Sequence, residues 1–329
     1  MSTAATLILI QQYMTRYLLS TILTVGTLGN LLAIVVFSKK NSRKNSCSIY
    51  LAAISIFGSI ATWWAIPPLI NALDHFDMVS YSLVLCRIRG YTIHASSMCF
   101  RYTLVLLCID RYASCHPRAT IRALCRPQIA YRSINILVIF WLVGSSHLLI
   151  WESIENNRCG VYGLYGQIYS FYNLVFVGII PILSMILLSI PLMKNLRQIR
   201  SRVHIQDAGR QLQRRDVKLM KIVLVEMVVY MLCSIGHPLM LIYLNIINNL
   251  GIPKSTEQRQ IESFMNFITM SLLLYLSYNT PFYVHFFTSK TYRDEIKQSI
   301  MELFNERRTI KRNNVRIKPI LSLVTEAKQ

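Results

Sequence analysis

Charge is what this sequence has least of. Asp, Glu, Lys and Arg make up 15% of its residues, where an ordinary soluble domain carries about 25%. The acidic share is smaller still, with 15 Asp and Glu against 35 Lys and Arg. So few charges cannot cover a water-exposed surface. The 53% hydrophobic content and mean hydropathy of +0.40 exclude a disordered chain. They also argue against the one or two soluble domains that 329 residues would otherwise allow. Cysteine is sparse: eight residues exclude a disulfide-stapled scaffold and leave room for one or two bridges. A P-loop, His-Glu-x-x-His, Cys-x-x-Cys and Gly-x-Ser-x-Gly are all missing. Nothing therefore points to an enzyme, and neither a cofactor nor a metal is expected. No period of about 20–50 residues marks a solenoid or propeller.

Long apolar runs are what the chain does have. A bilayer core about 30 Å thick is spanned by roughly 20 helical residues. Residues 17–37, 47–73, 133–151, 160–193 and 263–289 hold no charge at all. Residues 90–109 and 222–251 hold one each, Arg101 and Glu226. The expectation is an all-α, seven-transmembrane helix bundle with spans at about 14–38, 46–73, 83–114, 128–151, 166–198, 214–248 and 260–287 within residues 14–288. Residues 1–13 form a short outer N-terminus without a cleavable signal, and residues 305–329 a flexible basic tail. Between them, 289–304 reads as an amphipathic interfacial helix with Tyr292, Ile296, Ile300, Leu303 and Phe304 on one face.

Orientation follows from the basic residues. With seven spans, segments 38–46, 110–132, 194–221 and 290–329 share one side and hold 28 Lys and Arg against 8 Asp and Glu. The whole net charge of +20 sits on that face, which is thereby expected to be cytoplasmic, with the N-terminus outside in the plasma membrane. The basic loops match the anionic inner leaflet of the lipid bilayer and an acidic cytosolic partner. That placement, beside the membrane, removes the case for nucleic acid.

Seven spans of this orientation suit a receptor, a light-driven pump, or a transporter or ion pathway without G-protein coupling. The third span ends in Asp110-Arg111-Tyr112. Gly29-Asn30 lies in the first, Trp141 in the fourth, and Pro181, Pro238 and Pro281 in the fifth, sixth and seventh. Cys86 opens the third span, 25 residues before Arg111, and Cys159 lies in the second outer loop. This set, in register over roughly residues 14–304, resembles the rhodopsin-like (class A) G-protein-coupled receptors. The resemblance implies a disulfide between Cys86 and Cys159, and coupling of Asp110, Arg111 and Tyr112 to a heterotrimeric G protein and to arrestin. It implies hinges at the three prolines and a packing role for Trp141.

The departures are as specific as the matches. Where the family carries an Asp in the second span this chain has Ser55, and Ile235-Gly236-His237-Pro238 lacks the family's Trp. Thr280-Pro281-Phe282-Tyr283-Val284 places Asn279 and Tyr283 one position off the family's Asn-Pro-x-x-Tyr. Twenty residues before Pro238, where many relatives hold an acid against the Arg of the third span, stands Lys218. By family analogy Ile93, His94, Ser97, Met98, Asn173, Met240, Tyr243, Asn266 and Met270 are pocket candidates. Ile93 stands where amine receptors have an Asp, which disfavours an ammonium ligand. The absence of Lys from 263–289 disfavours retinal. A peptide, FMRFamide-like or another neuropeptide, remains. The aromatic residues Trp63, Trp64, Tyr162, Tyr165, Tyr169 and Tyr172 suit an interfacial belt or a ligand pocket. Arg101, at mid-membrane, costs at least about 2.5–3.5 kcal/mol without a partner. Its candidate partners are Glu226, a long reach away, and polar groups of the sixth span.

Overall fold

The computed structural model describes residues 3–40, 42–116, 118–202, 210–251, 253–290, 292–299 and 301–302. Helix dominates throughout. Six helices are long and apolar enough to cross a bilayer: Thr3–Phe37, Ser46–Asn71, Leu83–Ser114, Pro127–Trp151, Gly163–Lys194 and Ile222–Ile247. A seventh runs through Thr256–Asn266, Phe267–Leu273 and Leu274–Thr288. The result is a seven-helix membrane bundle. The first helix begins at Thr3, ahead of the expected start at 14, and no residue of Thr3–Tyr13 is buried.

Local chemistry sets several helix starts. Asn45 accepts from the Cys47 amide at 3.1 Å, and Ser82 from Leu85 at 3.4 Å. Ser255 accepts from Gln258 at 3.1 Å; each such cap satisfies an amide that the helix cannot. Pro127 starts the fourth helix, where its missing N–H costs nothing. The internal prolines disturb the ladder in three ways. A π-helical turn, Leu174–Ile179, precedes Pro181. The sixth helix breaks at Ile235 into Arg210–Ser234 and Gly236–Asn249, three residues before Pro238. Pro281 lies inside Leu274–Thr288, and the Ser277 carbonyl it deprives of an amide accepts from Thr280 Oγ1 at 3.0 Å.

Small residues bring the first, second and seventh helices together. A Cβ at Gly26 would overlap the Asn279 side-chain amide. Asn279 accepts from Asn30 Nδ2 at 3.0 Å and donates to Thr62 Oγ1 at 3.2 Å and to the Tyr275 carbonyl at 2.8 Å. Ser55, buried in the second helix, donates back to the Leu51 carbonyl at 3.0 Å. On the opposite side Met98, Cys99, Trp141 and Val177 form a core against Tyr102 and Phe176. Tyr102 donates to the Phe176 carbonyl at 3.0 Å.

The chain divides at His285 into two units. In the second, Ser289 Oγ accepts from the Tyr292 amide at 3.2 Å and opens a helical stretch over 292–299. Arg293 Nη1 donates to the Phe286 carbonyl at 2.8 Å. Ile300, Leu303, Phe304 and the tail 305–329 lie outside the described residues.

Candidate functional site

The third helix, Leu83–Ser114, is the element on which both ends of the bundle depend. At one end Cys86 is joined by a disulfide to Cys159. Cys159 sits on a two-stranded hairpin, β1 Ser153–Glu155 and β2 Arg158–Gly160, in which Ile154 pairs with Cys159. Asn156 and Asn157 make its turn at φ 49° and 56°, a left-handed conformation that Asn accepts more readily than most residues. Bridge and hairpin together hold Glu152 against Gly90, where a Cβ would overlap the Glu152 carboxylate. Glu152 is 8% exposed. Burial pushes its carboxyl up to about 7 even though Arg89 and Arg87 pull the other way. Cys86, Cys159 and Glu152 lie within 4.8 Å of one another, but two sulfurs bonded to each other offer no thiolate for a metal.

A cavity of about 250 Å³ opens from this point into the bundle. Arg89, Gly90, Ile93, His94, Ser97 and Arg101 line it from the third helix. Tyr169, Asn173 and Val177 line it from the fifth, His237 and Leu241 from the sixth, and Met270, Leu274, Tyr275 and Tyr278 from the seventh. Two tyrosines fix one wall: His94 Nε2 lies 3.2 Å from Tyr172 Oη, and Nδ1 lies 3.3 Å from Tyr169 Oη. His147 Nδ1 and Tyr165 Oη lie 2.6 Å apart behind it. These are the groups of a pocket that recognises polar atoms in an aromatic setting.

Arg101 is 2% exposed. Its Nε donates to Tyr230 Oη and its Nη2 to Tyr278 Oη, both at 3.1 Å, and its Nη1 meets Met98 sulfur at 3.4 Å. One cation therefore ties the third helix to the sixth and the seventh through two neutral hydroxyls. Glu226 stands elsewhere, with its Oε2 3.4 Å from His285 Nε2. Among the described residues the two intramembrane charges do not meet. The sixth-span hydroxyl of Tyr230, not Glu226, supplies the partner, because the Glu226 carboxylate lies against His285 instead.

At the other end of the third helix Arg111 is ion-paired with Asp110, both side chains 4% exposed. Arg111 Nε donates to Asp110 Oδ2 at 3.0 Å, and Nη2 reaches Ser46 Oγ at 3.5 Å. Tyr112 packs edge-on against His116 with ring centroids 5.6 Å apart. The side chain of Lys218 lies outside the described residues.

The structure thus brings Ile93, His94, Ser97, Asn173 and Met270 to the cavity and leaves four other candidates off its walls. Met98 is fully buried in the core beside Trp141. Tyr243 instead donates to Glu262 Oε1 at 3.2 Å, where Lys254 Nζ binds Oε2 at 2.6 Å. Neither Met240 nor Asn266 reaches the lining; Met240 follows the break at Ile235, and Asn266 abuts the π-helical turn Phe267–Leu273. Of the aromatic belt, Tyr169 and Tyr172 turn inward on His94, whereas Trp63 is 53% and Trp64 38% exposed. Sequence reasoning passed over Glu152, Arg89, His237, Tyr275 and Tyr278. The expectation of a polar partner from the sixth span pointed toward Tyr230 alone.

Comparison with known proteins adds two findings. Residues 29–283 match the family model of the 7 transmembrane receptor (rhodopsin family). The FMRFamide peptide receptor frpr-18 of Caenorhabditis elegans is 25% identical over 126 residues, covering 36% of this chain and 28% of that receptor.

Proposed function

Because the chain belongs to the rhodopsin family of seven-transmembrane receptors, we propose that it binds an extracellular peptide and activates a heterotrimeric G protein. In the proposed orientation the N-terminus is outside the plasma membrane, the cavity opens toward the outer side and Arg111 lies at the cytoplasmic face. One observation carries the reading. A single helix, Leu83–Ser114, lines the cavity with Arg89 to Arg101 and ends in the buried Asp110–Arg111 pair. Between the two, Arg101 is bonded to the sixth and seventh helices. A ligand that binds the cavity better in one packing of these helices shifts the population at the far end. Peptide is favoured over amine by Ile93 on the cavity wall and by the name of the matching receptor. Arrestin would meet the same cytoplasmic face.

The test is a peptide-library screen on cells expressing the full chain, read by guanine-nucleotide exchange. The expected result is exchange driven by a subset of peptides. Solute flux through the protein with no exchange by any G protein would overturn the reading.

A further inference from the structure

Glu152 is the group that receptor packing leaves unexplained. Its carboxylate is buried, yet Oε2 has no hydrogen-bond partner. The polar neighbour of Oε1 is Cys159 sulfur at 3.6 Å, which as half of a disulfide carries no proton to give. The bonds of the two nearby cations go to backbone carbonyls. Arg87 Nε donates at 2.9 Å to the backbone carbonyl of Glu152. Arg89 spends Nε and Nη2 on the Trp64 and Ala65 carbonyls at 3.2 and 3.1 Å. An unpaired buried carboxylate is costly, and a purely structural residue would be replaced by an amide or an apolar group at a gain. Yet the fold keeps a place for it: Gly90 leaves the space that the carboxylate fills, and the hairpin and disulfide hold it there.

We propose that Glu152 is the counter-ion for a guanidinium group of the ligand, seated in the cavity beside the Cys86–Cys159 bridge. This deepens the peptide-receptor reading above and rests on it. It also fixes the direction of the ligand. Arg101 lines the same cavity as a permanent cation, so the ligand's positive group lies at Glu152 and its acceptor-bearing end, a carbonyl or carboxylate, faces Arg101. Besides Arg87 and Arg89, the titratable groups whose charge acts on Glu152 are Tyr162, Tyr165 and Tyr169, all neutral near pH 7. With the carboxyl raised to about 7, a cationic ligand selects its ionised form. Affinity accordingly rises as pH increases through 7 and levels off above it.

The test uses the full-length receptor in lipid nanodiscs with two probes, N-acetyl-arginine amide and its neutral isostere N-acetyl-citrulline amide, read by thermal unfolding. Agonist peptides from the exchange screen are compared in parallel. In wild type the arginine probe is expected to raise the unfolding temperature and the citrulline probe to leave it unchanged; in Glu152→Gln neither raises it. Among agonists, replacing one arginine by citrulline should lower potency about tenfold or more in wild type and have no further effect in Glu152→Gln. Equal responses of wild type to both probes, or to neither, overturn the proposal. Agonist peptides equally potent on wild type and Glu152→Gln overturn it while leaving the peptide-receptor reading intact. A probe shift confined to wild type, with no peptide agonist, supports the cation site and overturns the peptide reading instead.

Discussion

At the scale of single residues, two arginines on one helix show opposite solutions to the cost of burying a charge. Arg111 has a carboxylate beside it, whereas Arg101 has two phenols and a thioether. Hydrogen bonds to a charged group contribute about 1.5–3 kcal/mol. Tyr230→Phe and Tyr278→Phe are therefore each expected to lower stability by about that much, seen as a drop in the unfolding temperature of purified receptor. Arg101→Met removes the charge together with its need for acceptors. The two Phe substitutions should consequently cost less in its background than alone, and full additivity would show that the guanidinium does not depend on these hydroxyls. For Arg111 the expectation is functional. Arg111→Ala should reach the cell surface at normal levels and lose nucleotide exchange, since the residue lies at the coupling end and touches no ligand group. Normal exchange in that variant would refute the proposed coupling role, and poor surface delivery would mark it as an anchor at the membrane face. Of this chemistry, the sequence displayed the charges and concealed their partners. Asp110 is adjacent in the chain and legible, whereas Tyr230 and Tyr278 lie 129 and 177 residues from Arg101 and only helix packing joins them.

At the scale of elements, apolar length and Lys/Arg placement made the seven helices readable, and the Cys86–Cys159 bridge followed from the family resemblance. The prolines marked two places of departure from regular helix, Pro181 and Pro238, but not the form each departure takes. The break at Ile235, the π-helical turns Leu174–Ile179 and Phe267–Leu273 and the hairpin after Trp151 leave no periodic trace in composition. Close to those irregularities, Met240 and Asn266 fall off the cavity while His237 and Tyr275 line it. The hairpin is the sharper case. Its two three-residue strands are too short for alternation to register, and they position Glu152. Close helix approach is also a matter of elements. Gly26 admits the Asn279 amide that joins the first, second and seventh helices. Gly26→Val would displace that amide and is expected to cost about 1–3 kcal/mol by overpacking, with reduced surface expression. An equally stable Gly26→Val would mean that the helices separate without loss and that the Asn30–Asn279–Thr62 contacts contribute little.

At the scale of the whole molecule the question is what holds the resting state. A two-state receptor needs a bias of only a few kcal/mol between its packings, and its closing contacts must cross from one helix to another. Among the described residues, Arg111 is bonded to Asp110 on its own helix and to Ser46 at the start of the second. The family resemblance places an acid at the base of the sixth helix in many relatives, facing the same arginine. Here that position is Lys218. Two like charges there would favour separation of the third and sixth helices by ~1 kcal/mol, the scale of a partly exposed pair. That amounts to a several-fold change in the population of the open state. The expectation is measurable nucleotide exchange without ligand, falling several-fold in Lys218→Glu at matched surface expression. The substitution restores an attraction across the helices without touching the cavity, so agonist binding should be altered only through the shifted equilibrium. Unchanged basal exchange in Lys218→Glu would place the resting bias in the Asp110–Arg111–Ser46 contacts and in the Arg101 bonds to the sixth and seventh helices. In that case Tyr230→Phe, which frees the sixth helix from Arg101, should raise basal exchange where Lys218→Glu did not lower it.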